Sequence, residues 1–247
     1  IMAKRIAIVN QKGGVGKSTT AVNLSAGLAE KKNKVLLIDI DPQGNASSGL
    51  GIEKAEVEFT IYDLLIESEA PGKAISESET ENLDIIPAKI ELVSLMSRES
   101  RLKNALNKLN MNYDYIIIDC PPSLGLLTLN ALTAADSVVV PIQCEYYALE
   151  GLGQLMNTIE LVRKNLNSDL RIEGVLMTMY DARTNLSDQV IEEVEDYFTD
   201  LVFKTVIPRN VRLSEAPSFG KSILSYSSNS KGAKAYRQLA EEVISLE

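Results

Sequence analysis

The sequence predicts an α/β fold, a mostly parallel twisted sheet with helices on both faces. Three observations carry that prediction. Short apolar, largely β-branched runs alternate with segments of helical periodicity along the 247-residue chain. Most of these runs are apolar at consecutive positions rather than alternate ones, as strands buried on both faces require. The turn Lys12-Gly13-Gly14-Val15-Gly16-Lys17-Ser18-Thr19 joins the first run to the first helix, a strand–loop–helix order typical of parallel sheets.

In chain order, 6–9 reads as a buried strand, and Ala21, Leu24 and Leu28 fall at helical spacing after it. A second strand is expected at 34–39, followed by a glycine-rich loop over 41–51. Residues 53–84 are acidic and irregular, with a short helix over 60–66. The Ser-, Glu-, Pro- and Gly-containing tract 67–82 reads as a solvated connection. Residues 83–86 form a strand stopped by Pro87, and 90–109 a surface helix of mixed charge. A strand at 115–119 ends before Pro121-Pro122. Helix 124–135, strand 137–141, helix 149–166, strand 172–179, helix 187–198, strand 201–207 and a final helix from about 231 to 246 complete the pattern. No repeat or boundary interrupts it, so residues 2–247 are expected to form a single domain, with no room for an N-terminal DNA-binding extension.

Composition narrows the function. Two cysteines do not make a disulfide framework, so a reducing, cytoplasmic compartment is expected. Cys120 and Cys144 read as small buried hydrophobes. The absence of histidine excludes Ser-His-Asp and Cys-His mechanisms and leaves proton transfer to carboxylates, lysines, tyrosines or water. No apolar stretch approaches the roughly 18 residues of a membrane span, and the polar start predicts no secretory leader. The formal charge of -9 argues at first against nucleic acid. Its distribution argues otherwise: 53–84 holds ten acids and two lysines, whereas 201–237 holds seven bases and one acid.

The glycine turn is a phosphate cradle by its chemistry. Gly13, Gly14 and Gly16 let backbone N–H groups close on an anion, and a helix N-terminus behind them adds partial positive charge. Lys17 is placed to reach the β- and γ-phosphates of a nucleoside triphosphate, and the Ser18 hydroxyl to ligate Mg²⁺. The nucleotide-binding set is therefore read as Lys12, Gly13, Gly14, Val15, Gly16, Lys17, Ser18 and Thr19. The usual first glycine is replaced by Gln11.

Two strand ends supply acids. Asp119 closes Tyr-Ile-Ile-Ile-Asp, a Walker B pattern that would hold Mg²⁺ through water. Asp39 and Asp41 stand at the end of the second strand, on one face if the chain stays extended. One of them would touch the metal shell while the other orients the attacking water, a positioning task that needs little basicity. The metal set is thus Ser18, Asp39 and Asp119. Basic residues Lys204, Arg212, Lys221 and Lys231, with Arg183 in an earlier loop, are candidates for duplex backbone contacts. Few aromatics interleave them, which disfavours stacking on single strands.

The second lysine of the loop, Lys12, together with Asp39-Ile-Asp41-Pro-Gln-Gly-Asn45, Cys-Pro-Pro-Ser-Leu and Ile-Pro-Arg-Asn-Val-Arg-Leu-Ser, resembles the ParA/MinD family of deviant Walker A P-loop ATPases, chromosomal ParA proteins of the Soj type above all. The likeness covers nearly the whole chain. It implies ATP and Mg²⁺ as cofactors, hydrolysis with Asp41 acting on the water, and a homodimer in which Lys12 reaches the other subunit's phosphates. Lys12, Lys17 and Asp41 are then the catalytic set. It also implies that the loop of Pro208 and Asn210 borders the adenine. Further implied are non-specific double-stranded DNA binding on the nucleoid and hydrolysis stimulated by a ParB-type partner. A MinD-like membrane role would need a basic amphipathic C-terminal helix, and the chain ends Ala-Glu-Glu-Val-Ile-Ser-Leu-Glu. A nucleotide-gated scaffold without hydrolysis would lack an acid at position 41.

Overall fold

The computed structural model describes residues 3–53, 55–66, 71–94, 99–109 and 112–246. The strands are β1 (Lys4–Ile8), β2 (Val35–Asp39), β3 (Ser76–Glu77), β4 (Leu83–Ile86), β5 (Tyr115–Asp119), β6 (Ser137–Gln143) and β7 (Arg171–Thr178). They form one sheet in the order β3-β4-β2-β5-β1-β6-β7, parallel throughout except for the β3–β4 pair. The helices are α1 (Lys17–Glu30), α2 (Asn45–Gly49), α3 (Ile61–Leu65), α4 (Arg101–Lys108), α5 (Leu126–Ala134), α6 (Leu152–Asn165), α7 (Asn185–Phe198), α8 (Val211–Glu215), α9 (Ile223–Tyr226) and α10 (Lys231–Ser245). The predicted α/β fold class is the observed one.

Alternation along the strands divides the core in two. Ile6, Ile8, Leu37 and Ile117 face a layer built by α1 and α10 through Leu24, Leu28, Tyr236 and Leu239. Ala7, Ile38 and Ile118 face the other layer, where Leu132 of α5, Leu155 of α6 and Val194 of α7 pack. The consecutive apolar runs thus serve both faces at once. Helix α10 lies close to α1 because Gly27 has no side chain. A Cβ there would stand 3.0 Å from the Ala240 Cβ and 3.1 Å from the Tyr236 carbonyl oxygen.

Several local expectations are corrected. The expected strand over 201–207 is not a regular strand. Val202 makes an isolated bridge to Val175, and Phe203 and Ile207 donate to β7 carbonyls. The amides of Lys204 and Thr205 go instead to the Glu242 carboxylate of α10, at 2.7 and 3.0 Å, so no ladder forms there. The expected loop 41–51 contains α2. In the tract read as solvated, Pro71–Ala74 is a 3-10 turn and β3 pairs antiparallel with β4, while 67–70 lie outside the described residues. The expected helix 90–109 is a 3-10 turn at Ile90–Ser94 and then α4, with 95–98 outside the described residues. Short helices α8 and α9 occupy a stretch with no assignment from periodicity.

Candidate nucleotide-binding site

Parallel register brings the chemistry together. Ile8 of β1 and Asp39 of β2 both pair with Asp119 of β5. The phosphate loop and both strand-end acids therefore leave the sheet at one edge, where open α/β sheets bind ligands.

The loop turns into α1 at Gly16, whose φ of 89° lies in the left-handed region that glycine tolerates. Tertiary hydrogen bonds hold the loop. The Asn10 side chain donates to the Pro141 carbonyl at 2.8 Å and accepts the Lys12 amide at 2.9 Å. The Thr178 hydroxyl, at the end of β7, donates to the Val15 carbonyl at 2.9 Å. Gln11, at the position of the missing first glycine, donates from Nε2 to the Gly151 carbonyl. Lys17 is buried and its Nζ donates to the Lys12 carbonyl at 2.8 Å. Burial lowers its pKa, and Asp119, Cys120 and Asp41 oppose that shift.

Asp119 is fully buried, and neither of its carboxylate oxygens has a hydrogen-bond partner of normal geometry in the protein. Burial and the neighbouring Asp39 push its pKa well above the usual range, with partial relief from Ser18 and Lys17. An orphaned buried carboxylate beside a serine hydroxyl fits a hard cation. Among the described residues no group of three or more acid, His or Cys ligands is assembled. That suits Mg²⁺, which keeps water and phosphate oxygens as most of its ligands.

Asp39 and Asp41 part company. Asp41 lines a cleft of about 420 Å³ with Gly13, Gly14, Gly16, Lys17, Ser18 and Thr19. Asp39 is not among the lining residues and is fully buried. Its oxygens accept from the Ser47 amide and hydroxyl and from the Asp41 amide. Expected in the metal shell, it has both oxygens engaged by its own chain. Val15 is also buried and is not among the residues lining the cleft. Lys12 is half-buried, with both backbone polar groups engaged and its side chain outside the cleft lining.

A second pocket of about 480 Å³ shares Gly16, Thr19, Met179 and Pro217 with the cleft and is lined by Pro208 and Asn210. The Asn210 side-chain oxygen caps α8 by accepting the Arg212 amide at 2.9 Å. Its NH₂ group is the part left for a base.

The basic candidates do not form one set. Lys221 is exposed and also lines the nucleotide cleft. Arg183 is exposed and donates from Nε and Nη2 to the two Asp181 carboxylate oxygens, at 2.8 and 2.7 Å, which holds that carboxyl well below the usual range. Arg212 pairs with Glu215 at 2.9 Å. Lys204 and Lys231 are exposed.

Sequence reasoning missed Asn10 and Thr178, although a polar residue ending an apolar run is a readable signal. It also missed Asn23, whose oxygen accepts the Ile223 amide at 2.7 Å in the cleft wall, and Met179, which has a φ of 54° between the two pockets. Neither had a signal in the sequence.

Comparison with known proteins gives a family model described as an AAA domain over residues 3–172. The chain is 66% identical to the sporulation initiation inhibitor protein Soj of Bacillus subtilis, covering 98% of each. It is 54% identical to the chromosome partitioning protein ParA of Myxococcus xanthus, covering 97% of this chain and 87% of that one. Among solved structures, a protein of Mycobacterium smegmatis named cobyrinic acid a,c-diamide synthase, with bound ADP and magnesium, is 39% identical with a TM-score of 0.84, over 97% of this chain and 93% of that one. On these likenesses the chain belongs to the ParA/MinD family of P-loop ATPases.

Proposed function

We propose that the chain is an ATP-dependent DNA-partitioning ATPase that works as an ATP-gated dimer. The observation that carries this reading is the convergence of Lys17, Ser18, Asp41 and the unpartnered Asp119 at one sheet edge. The loop amides and Lys17 hold the β- and γ-phosphates, and Pro208 and Asn210 border the adenine. Ser18 directly and Asp119 through water hold Mg²⁺, which supplies neutralising charge to the phosphates when bound. Asp41 orients the attacking water. Lys12 reaches the phosphates of a second copy, so that nucleotide joins two protomers.

Each protomer carries a weak basic surface that includes Arg183, Lys204, Arg212 and Lys231. Pairing two of them multiplies DNA affinity through avidity and ties it to ATP. A ParB-type partner stimulates hydrolysis, after which the protomers separate and leave the DNA. The name attached to the magnesium–ADP structure denotes amide formation, but the more similar relative at 54% identity carries the partitioning name over almost the whole chain.

A membrane-positioning role is disfavoured. No helix among the described residues is long and apolar enough to cross a membrane. The apolar face of α10 is spent on the core through Leu239, Ala240 and Val243, and its acids bind Lys31 and the 204–205 amides. The deciding experiment measures duplex DNA binding without nucleotide, with ADP and with ATP in parallel. ATP-dependent binding is expected, and equal binding in all three conditions refutes the reading.

A further inference from the structure

Asp39 and Asp41 are two residues apart, yet only Asp41 faces the cleft. Asp39 uses Oδ2 to accept the Ser47 amide at 2.8 Å and the Ser47 hydroxyl at 2.7 Å, and Oδ1 to accept the Asp41 amide at 3.1 Å. The Ser47 hydroxyl in turn accepts the Ala88 amide at 3.1 Å, from the loop after β4. Ser47 is fully buried. Helix α2 has a reason to need this outside support. Its N-cap is Gly44 in the left-handed region, which has no side chain to satisfy the first amides. A carboxylate from β2 takes that place.

One carboxylate therefore grips both ends of the turn that carries Asp41: the Asp41 amide at its start and Ser47 in α2 at its finish. The same helix contributes Asn45, Ser48 and Gly49 to the cleft wall, whereas Ser47 itself lines nothing there. Through Ala88 the turn is also moored to β4, an element that lines neither the cleft nor the second pocket. We propose that Ser47 is a positioning residue for hydrolysis, its hydroxyl fixing α2 between Asp39 and Ala88 so that Asp41 stays in register with the attacking water. This rests on the ATPase reading above and on the role given there to Asp41. Orientation of a reacting water is sensitive to small shifts, since a misplacement of about 1 Å costs about a hundredfold in rate. The phosphate loop is held by Asn10, Gln11 and Thr178 instead, so loosening α2 leaves nucleotide binding intact.

The test uses the full chain with Mg²⁺ and ATP, comparing Ser47→Ala, Asp39→Asn and Asp41→Ala. Ser47→Ala is expected to lower kcat about ten- to a hundredfold while its affinity for a fluorescent ATP analogue stays within about twofold. Asp39→Asn leaves one acceptor oxygen where two are used, so either the Ser47 or the Asp41 contact is lost, and it is expected to give the same split. Raised Mg²⁺ should not restore it, whereas a metal-ligand role for Asp39 requires such rescue. An unchanged kcat in Ser47→Ala, with hydrolysis lost in Asp41→Ala, overturns this inference alone. Loss of affinity and kcat together, with a collapse of the melting temperature, overturns it by making Ser47 merely structural. Full hydrolysis by Asp41→Ala removes the ATPase assignment on which the inference stands.

Discussion

At the scale of single residues, Lys17 shows what burial does to a phosphate ligand. Its ammonium is held at 2.8 Å on a loop carbonyl, with burial acting against its charge and three neighbouring groups acting for it. A triphosphate would replace the carbonyl as the stronger, charge-assisted partner. Lys17→Ala is expected to weaken ATP binding by about thirtyfold or more, since truncating one side of a buried charged pair costs about 2–5 kcal/mol. Calorimetric titration checks this, and unchanged affinity removes the site. Asp41 sits at the cleft wall without gripping the loop, so its loss should act on chemistry rather than binding. Asp41→Ala is expected to accumulate an ATP-bound dimer, visible by light scattering with excess ATP and Mg²⁺. A solution of monomers under those conditions contradicts the trap.

At the scale of elements, the phosphate loop is shaped by neighbours distant in sequence. Thr178 is 163 residues from the Val15 carbonyl that it binds. Thr178→Val keeps the shape but strands a buried acceptor, which costs about 1–3 kcal/mol. The expected result is a lower denaturation midpoint in urea and weaker ATP binding that Thr178→Ser recovers. The α1–α10 contact makes a second prediction. At Gly27 an added Cβ stands 3.0 Å from the Ala240 Cβ and 3.1 Å from the Tyr236 carbonyl oxygen, so a packed helix must shift to admit it. Gly27→Val is expected to lose about 1–3 kcal/mol of stability through overpacking, read from the same urea titration.

At the scale of the whole molecule, net charge and local charge point to different partners. The chain is acidic, yet residues 201–237 hold seven bases against one acid. Arg183 and Arg212 are exposed and each is already paired with an acid of its own loop or helix. Such exposed pairs contribute little and exchange readily for a phosphate. Arg183→Ala and Arg212→Ala are each expected to weaken duplex DNA binding several-fold while sparing ATP binding. The slope of log affinity against log salt should shrink by about one for each phosphate that a protomer no longer neutralises. Gel shifts across a salt series check both, and equal retention by wild type and variants sinks the assignment.

The sequence by itself determined the alternation of strands and helices, the phosphate loop and the acids at the ends of β2 and β5. These are local: a run of β-branched residues, a glycine triplet between lysines, a carboxylate closing an apolar run. The tertiary structure alone decided where each acid sits. Asp39 and Asp41 look equivalent in a two-residue period, but α2 turns one inward to Ser47 and leaves the other on the cleft. It alone placed Lys221 at the wall of the cleft, and turned 201–207 from a strand into an edge held by Glu242. The reason is the same in each case. A hydrogen bond takes the nearest partner in space, and for these groups that partner lies in another element, which no local pattern can name.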